Sequence, residues 1–140
     1  MNCPFCHIHN PIVENELATT FYDSHPLNQG HLLIITKRHV STIFDATPQE
    51  RLAIFSLLDI CKSLLDLAFE PNGYNIGMNC GEAAGQTVSH LHIHLIPRYA
   101  GDMESLKGGI RGLIRRDGGI YGLSNQDKQR VPMIGASFST

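Results

Sequence analysis

Three histidines alternate with apolar residues in the stretch from His90 to Ile96. A period of two is the signature of a half-buried strand, in which alternate residues share a face. The neighbouring imidazoles of His90, His92 and His94 then stand roughly 6.7 Å apart, since a strand rises about 3.3 Å per residue. The strand is expected to stop at Pro97, which has no N–H for the ladder. Three imidazoles in strict register make a plain solvent-facing strand improbable.

Metal binding is one chemistry for this row, because neutral imidazole is a good zinc ligand. His90 and His94 would lie roughly 13 Å apart on an extended strand, so at most two neighbours share an ion. Nucleophilic catalysis is the other, since imidazole titrates near pH 6.5 and forms covalent intermediates. The preceding Gly85-Gln86-Thr87 favours catalysis, because its amide and hydroxyl donors suit an anionic phosphoryl group.

Cys3 and Cys6 form a Cys-x-x-Cys pair, which is half of a tetrahedral zinc site. Attachment of a c-type haem needs export, and no leader opens the chain; a redox pair should follow a strand in a βαβ unit. Structural zinc is the better interpretation, with two free surface thiols as the alternative. The other ligands stay open at this point, between a nearby pair and a distant pair: His7 and His9, or His39 and His90.

The hydrophobic pattern places the elements that must position these residues. Three strands are expected from apolar, β-branched and aromatic runs, at 17–23, 31–36 and 74–79. Thr47-Pro48-Gln49-Glu50 is a capping box with Pro in the first turn, and Pro71-Asn72-Gly73 ends the amphipathic helix that follows. The loop 80–85 contains two glycines, which permit close approach of the backbone to a ligand.

The length of 140 residues and the composition, 42% hydrophobic and 17% charged, are typical of one globular domain spanning residues 1–140. The net charge of -2 gives no footprint for nucleic acid, and no apolar run approaches the roughly 20 residues of a membrane span. Neither nucleic acid nor a membrane is therefore expected as a partner. Four cysteines are few for a disulfide scaffold and favour a reducing compartment, the cytoplasm.

The chain changes character after a core at residues 1–100. Residues 101–140 hold eight of the thirteen glycines, and from residue 98 onward seven basic residues stand against four acidic ones, a local charge of +3. This Gly-rich basic tail is interpreted either as a segment that lies over the site and meets a polyphosphate, or as a mobile surface segment.

The stretch 85–98 resembles the defining motif of the histidine-triad (HIT) superfamily, His-x-His-x-His with apolar flanks after Gly-Gln-Ser/Thr. Further similar motifs lie at 3–6, 23–39 and 79–98. The resemblance implies an α+β fold, a five-stranded antiparallel sheet with one long helix, that pairs into a homodimer. It also implies hydrolysis or transfer at the α-phosphate of an adenosine nucleotide through a covalent nucleotidyl-histidine.

The resemblance also implies roles for four histidines. His92 would attack phosphorus, and His94 would hydrogen-bond the non-bridging oxygens. His90 would orient His92 through its backbone carbonyl. His31, in the Gly30-His31 entry to a strand, would be a remote fourth histidine that lines the site.

Nucleotide contacts follow from the same resemblance. Asp23 would hold the ribose hydroxyls and Asn79 the phosphate. Gly85 opens the motif, and Gln86 and Thr87 would contact the bridging oxygen and the leaving group.

For the metal, the resemblance favours the distant histidines, so that a structural zinc would be held by Cys3, Cys6, His39 and His90. Catalysis itself would require no metal, because phosphoryl transfer depends mostly on positioning and charge stabilisation.

Two substrate classes compete. Gln86-Thr87 and the run from Pro97 to Asp102 resemble the fragile-histidine-triad branch, which favours dinucleoside polyphosphates. Nucleoside phosphoramidates are the rival, although the tail of that branch typically contains Trp and this chain has none. The alternative to an enzyme is a non-catalytic nucleotide-binding or zinc-stabilised interaction module.

Overall fold

A computed structural model describes residues 2–103 and 107–113. The chain forms two compact units, Met1–Glu104 and Ser105–Thr140. The main elements of the first unit are strands and one helix: β1 (Ala18–Tyr22), β2 (Leu32–Thr36), α1 (Pro48–Phe69), β3 (Gly73–Gly77) and β4 (His92–Arg98). The described part of the second unit contains a 3-10 helix, Gly109–Leu113. Most of the Gly-rich tail lies outside the described residues, and so does its expected contact with the site.

The four strands form one antiparallel sheet in the order β1-β2-β4-β3. The predicted α+β architecture with one long helix is confirmed, with four strands rather than five among the residues described. Because β2 lies inside the sheet, all five of its residues are buried. Ile34 pairs with Ile93 in the core beneath α1, while Ile35 pairs with His92 on the opposite face. The sheet therefore separates a hydrophobic core from a histidine-bearing face.

The helix α1 begins where the capping box predicted. The Thr47 hydroxyl accepts from the Glu50 N–H at 3.1 Å, and the Glu50 carboxylate accepts from the Thr47 N–H at 2.9 Å. Its apolar face buries Ile54, Leu57 and Cys61, with Cys61 a small core residue as expected. No helix in the described parts of the chain has the length and apolar character needed to cross a membrane.

The expected strand from His90 to a stop at Pro97 is wrong at both ends, because β4 runs from His92 to Arg98. The N–H of Leu91 bonds to the Val40 carbonyl at 2.7 Å, so this part of the chain pairs with the turn after β2. Pro97 is tolerated because it lies beyond Leu95, the partner of Leu32 at the start of β2, so no β2 residue pairs with it. On that side the Pro97 carbonyl accepts from the Asn28 side chain at 3.0 Å. The missing N–H of Pro97 therefore has no strand partner to lose.

Two Arg–carboxylate pairs stabilise the ends of these elements, and each pair makes two hydrogen bonds. Arg38 bonds Glu50 at 2.7 and 3.1 Å, and Arg98 bonds Asp102 at 2.7 and 2.8 Å. Hydrogen bonds from Arg38 lower the pKa of Glu50 to about 2, and those from Arg98 hold the pKa of Asp102 well below its usual range. Both carboxylates are charged at neutral pH, which makes these hydrogen bonds charge-assisted.

Candidate functional site

The imidazole of His92 lies on the face of the sheet opposite the helix and is 6% exposed. Its Nδ1 lies 2.7 Å from the backbone carbonyl of His90. A carbonyl oxygen only accepts, so Nδ1 of neutral His92 must carry the proton. Its Nε2 is therefore left with a free lone pair, the form of imidazole that can attack an electrophile.

His94 is held in the opposite tautomer by a chain of two imidazoles. The Leu27 N–H donates to Nδ1 of His31 at 3.0 Å, so the proton of neutral His31 sits on Nε2. That Nε2–H lies 2.9 Å from Nδ1 of His94 and donates to it. Neutral His94 then carries its own proton on Nε2. Its ring centroid is 5.3 Å from that of His92, which places a hydrogen-bond donor beside a nucleophile.

Burial keeps the two linked imidazoles, those of His31 and His94, neutral. Desolvation lowers the pKa of His31 and of His94 below the ordinary value of 6.5, and the charge of Asp23 partly opposes both shifts. For His94, repulsion from His92 and His31 in their protonated forms lowers the pKa further. Both imidazoles are therefore uncharged at neutral pH, as the tautomer chain requires.

Asp23, His31 and His94 present ligand atoms within 4.8 Å of one another, a grouping that could hold a metal. The Leu27 N–H argues against this use. A metal on Nε2 of His31 would move the ring proton to Nδ1, where it would face the N–H donor of Leu27. The three side chains are better assigned to hydrogen bonding, with Asp23 Oδ2 3.4 Å from His31 Nε2.

A second cluster joins the N-terminal cysteines to two histidines that are distant in sequence. The ligand atoms of Cys3, Cys6, His39 and His90 all lie within 4.8 Å of one another. Cys3 Sγ is 3.5 Å from His90 Nδ1, and Cys6 Sγ is 3.2 Å from His39 Nδ1. Zn–S bonds of about 2.3 Å and Zn–N bonds of about 2.05 Å give a tetrahedral S···N edge of about 3.6 Å. The four residues therefore fit a zinc ion.

His90 is already oriented for such an ion. Its Nε2 donates to the Thr36 carbonyl at 2.7 Å, so its Nδ1 lone pair faces the two thiols. His7 and His9, the nearby candidates, are exposed and are not part of this cluster. The distant pair is the one that the fold brings to the cysteines.

Phe5, between the two cysteines, is a site residue that the sequence interpretation missed. Its ring lies edge-on to His92 with centroids 5.1 Å apart, and 5.2 Å from the ring of Phe21. The available signal was indirect: if Cys3 and Cys6 share a ligand set with His90, the residue between them must lie next to the histidine row. The metal-type cluster and the histidine site are therefore in direct contact.

The side chain of Gln86 hydrogen-bonds to backbone groups in and around the loop that precedes the histidines. Its buried side chain accepts from the Gly81 N–H at 2.8 Å and donates to the carbonyls of Ser41 and Val88 at 2.7 and 3.0 Å. Both N–H groups of the amide are used, so Gln86 holds the loop in shape. The next residue, Thr87, is exposed.

The remaining predicted nucleotide contacts, Asp23, Asn79 and Gly85, lie on three separate segments of the chain. Asp23, which follows β1, accepts from the His25 N–H at 2.9 Å and has its second oxygen near His31. Asn79 is half-buried after β3, and Gly85 adopts a φ of 94°, which favours glycine. An open cavity of 410 Å³ lies between the segment around Cys3, His39 and the segment 87–89. Two residues of the Cys2His2 cluster, Cys3 and His39, line this cavity together with Thr87.

An α+β domain with paired imidazoles of opposite tautomer, next to a Cys2His2 cluster, defines the class of site in this protein: a nucleophilic imidazole beside an imidazole donor. The chain belongs to the HIT domain family, whose model matches residues 8–101. It is 40% identical to an uncharacterised HIT-like protein of Methanocaldococcus jannaschii over 115 residues, which is 76% of this chain and 87% of the relative.

Relatives and structures with more specific descriptions also match. A bis(5'-nucleosyl)-tetraphosphatase (asymmetrical) of Schizosaccharomyces pombe is 36% identical over 87 residues, covering 62% of this chain and 48% of the relative. The crystal structure of a HIT family protein from Bacillus anthracis has a TM-score of 0.70 at 32% identity, covering 91% of this chain and 85% of the other. A zinc-bound histidine triad family protein from Mycobacterium smegmatis has a TM-score of 0.67 at 30% identity, covering 75% and 81%.

The tautomer assignments can be tested by NMR. In a long-range ¹H–¹⁵N correlation spectrum, neutral His92 should show the Nδ1–H form, and His31 and His94 the Nε2–H form. Because burial penalises the imidazolium ion, His31 and His94 should titrate below pH 6.5. Asp23→Asn removes the charge that raises both pKa values, so both midpoints should move to still lower pH.

The matched control is Asp59→Asn, which removes an exposed carboxylate from α1 and should leave both midpoints in place. An Nδ1–H form of neutral His31, or midpoints at or above 6.5, would contradict the assignment.

Proposed function

We propose that this protein is a hydrolase or transferase that acts at the α-phosphate of adenosine nucleotides through a covalent nucleotidyl-histidine. The observation that carries the proposal is the pair of opposed tautomers. His92 offers a lone pair at Nε2 because its Nδ1–H is bound to the His90 carbonyl, and His94 offers an N–H at Nε2 because its Nδ1 accepts from His31. A nucleophile and an oxyanion donor at adjacent positions are what attack on a phosphoryl group requires.

In the first step, Nε2 of His92 forms a bond to the α-phosphorus while the bond from phosphorus to the leaving group breaks. The Nε2–H of His94 donates to a non-bridging oxygen, where negative charge is stabilised. The Nδ1–H bond to the His90 carbonyl stabilises the positive charge that the imidazole of His92 gains. Thr87, which is exposed, would donate through its hydroxyl to the departing oxygen or nitrogen.

In the second step, water attacks the same phosphorus, the bond to Nε2 of His92 breaks, and the nucleoside monophosphate leaves. Another acceptor in place of water makes the reaction a transfer. Asp23 would hold the ribose hydroxyls and Asn79 the phosphate. Gln86 and Gly85 would contribute by shaping the loop behind the leaving group, and His31 by fixing the tautomer of His94.

Dinucleoside polyphosphates are the substrate class that we favour, with nucleoside phosphoramidates as the rival. The tetraphosphatase relative supports the first class, although this chain spans about half of that protein's length. The non-catalytic module remains the alternative, and it differs by binding nucleotide without forming an adduct.

We propose a structural zinc ion at Cys3, Cys6, His39 and His90. When bound, zinc supplies a cross-link between the N-terminal segment, the turn after β2 and the residues before β4, and it takes no part in the reaction. Thiolate ligands persist in a reducing compartment, which is consistent with a cytoplasmic protein.

We also propose a homodimer, formed through α1 and the free side of β3. In the described sheet β3 pairs only with β4, so one edge of β3 is open. Apolar side chains are exposed along α1 and on β3: Leu52, Phe55, Ile60, Leu64, Leu67 and Ile76. A row of exposed apolar residues beside an open strand edge is typical of an interface between copies of a chain.

The function is tested by AMP release from diadenosine tetraphosphate and from adenosine phosphoramidate, without Mg²⁺. His92→Asn should lower the rate by orders of magnitude, since a covalent nucleophile is lost. Mass spectrometry of quenched wild-type protein should detect AMP on the peptide that contains His92, and the faster substrate selects the class. His9→Asn, at an exposed histidine, serves as the matched control.

Nucleotide binding without release in wild type, or equal release in wild type and His92→Asn, would contradict the proposal and favour the binding module.

Removal of zinc should destabilise the fold, because metal binding is coupled to folding. After dialysis against a chelator, with zinc loss verified by elemental analysis, the Tm should fall by on the order of 10 °C. Cys3→Ser should lower the Tm similarly, while Cys80→Ser, at a free cysteine outside the cluster, should not. An unchanged Tm after verified zinc removal would count against a structural role.

The dimer is tested by light scattering coupled to size-exclusion chromatography. Wild type should run at twice the mass of the chain, and Leu64→Lys should shift it to the monomer mass because a charge is placed in an apolar interface. Phe44→Lys, at an exposed apolar residue outside α1 and β3, is the control. A monomeric wild type would remove the proposal.

A further inference from the structure

The carboxylate of Glu50 is buried, with only 3% of the residue exposed, yet it has no place in the chemistry described above. It accepts from Arg38 through Nε at 3.1 Å and Nη2 at 2.7 Å, and from the Thr47 N–H at 2.9 Å. A buried charge with three hydrogen bonds is fully paired. Glu50 therefore joins the first turn of α1 to the residue just before His39.

Arg38 is held at both of its ends. Its backbone carbonyl accepts from the Thr36 hydroxyl at 2.8 Å, and its guanidinium group is fixed by Glu50 and by the Asp45 carbonyl at 3.3 Å. Thr36 is completely buried at the end of β2. The turn 36–39 is thus anchored to the sheet on one side and to the helix on the other.

Both histidine ligands of the proposed zinc site depend on this turn. His90 donates through Nε2 to the carbonyl of Thr36. His39 follows Arg38 directly in the chain. Among the described residues, the His39 side chain hydrogen-bonds with Cys6. Its position is therefore set by the backbone of the turn and, through that backbone, by the Arg38–Glu50 pair.

We propose that the Arg38–Glu50 pair, of which only Glu50 is buried, is the positioning element of the zinc site, because it holds the turn that supplies His39 and that orients His90. This inference rests on the zinc site proposed above and extends it to residues that touch no ligand atom of the metal. The Arg38 side chain is 56% exposed, so solvent screens the pair and its net contribution to stability is small. Its two-pronged hydrogen bonding can still specify one arrangement of the chain.

The test is the zinc affinity of the full chain, measured by competition with a chromogenic chelator. Glu50→Gln keeps the size of the side chain and removes the charge, and it should weaken zinc binding about 10- to 100-fold, as loss of a partner behind a metal ligand does. In the Co²⁺-substituted protein the same variant should change the visible absorption bands, which report the geometry of the ligands. Unchanged bands and unchanged affinity would overturn the proposal.

The matched control is Asp102→Asn in the other Arg–carboxylate pair, which also has two nitrogen–oxygen bonds but braces the end of β4. It removes an equivalent interaction and should change zinc affinity less than twofold. If Asp102→Asn weakens zinc binding as much as Glu50→Gln does, the effect is general destabilisation and the positioning role is wrong.

Arg38→Lys keeps the proposal testable if Glu50→Gln does not fold. Lysine retains the charge but loses the two-pronged geometry of the guanidinium group, so zinc affinity should again fall by about tenfold. An unchanged affinity would overturn the positioning role. If wild type itself binds no zinc, the zinc site fails, and this inference fails with it. If wild type binds zinc and the Glu50 and Arg38 variants bind it equally well, only the positioning role is lost.

Discussion

The rest of the site depends on the completely buried His90 and on the polar contacts made by three of its atoms. Nε2 donates to the carbonyl of Thr36, Nδ1 faces the thiols of Cys3 and Cys6, and the backbone carbonyl accepts from His92. A neutral imidazole has one donor and one acceptor, and both are used here in only one way. The same residue therefore sets the orientation of the metal-type cluster and the tautomer of the neighbouring histidine.

This arrangement explains how one strand can carry two imidazoles with different chemistry. His92 and His94 are the same type of residue and lie on the same face of the sheet, but their hydrogen-bond partners differ. A carbonyl holds the proton of His92 on Nδ1, and the N–H of His31 keeps Nδ1 of His94 free of a proton. Burial lowers the pKa of His94, so that the neutral form needed for this division is the one present at neutral pH.

The surrounding residues are arranged to hold these partners in place. Gln86 uses its amide on three backbone groups, which fixes the loop before the histidines. The Arg38–Glu50 pair ties the turn after β2 to the helix, and Phe5 brings the Cys-x-x-Cys segment against His92. All of these contacts are made between residues of the chain itself. The site is therefore largely formed before any ligand binds, which lowers the cost of binding.

The α+β architecture was implied by the resemblance to the histidine-triad superfamily. The sequence alone predicts the start of α1 and the alternation of β4, because capping boxes and periods of two and 3.6 are local properties of the chain. It also indicated the cysteine pair and the histidine row. Sequence alone could not choose between His7 with His9 and His39 with His90, and it missed Phe5. It placed the end of the strand at Pro97, because no local pattern shows that β2 begins only at Leu32, beside Leu95. Tertiary structure decided these points, since ligand sets and tautomers are made by groups up to 87 residues apart in the chain, which only the packed sheet brings together.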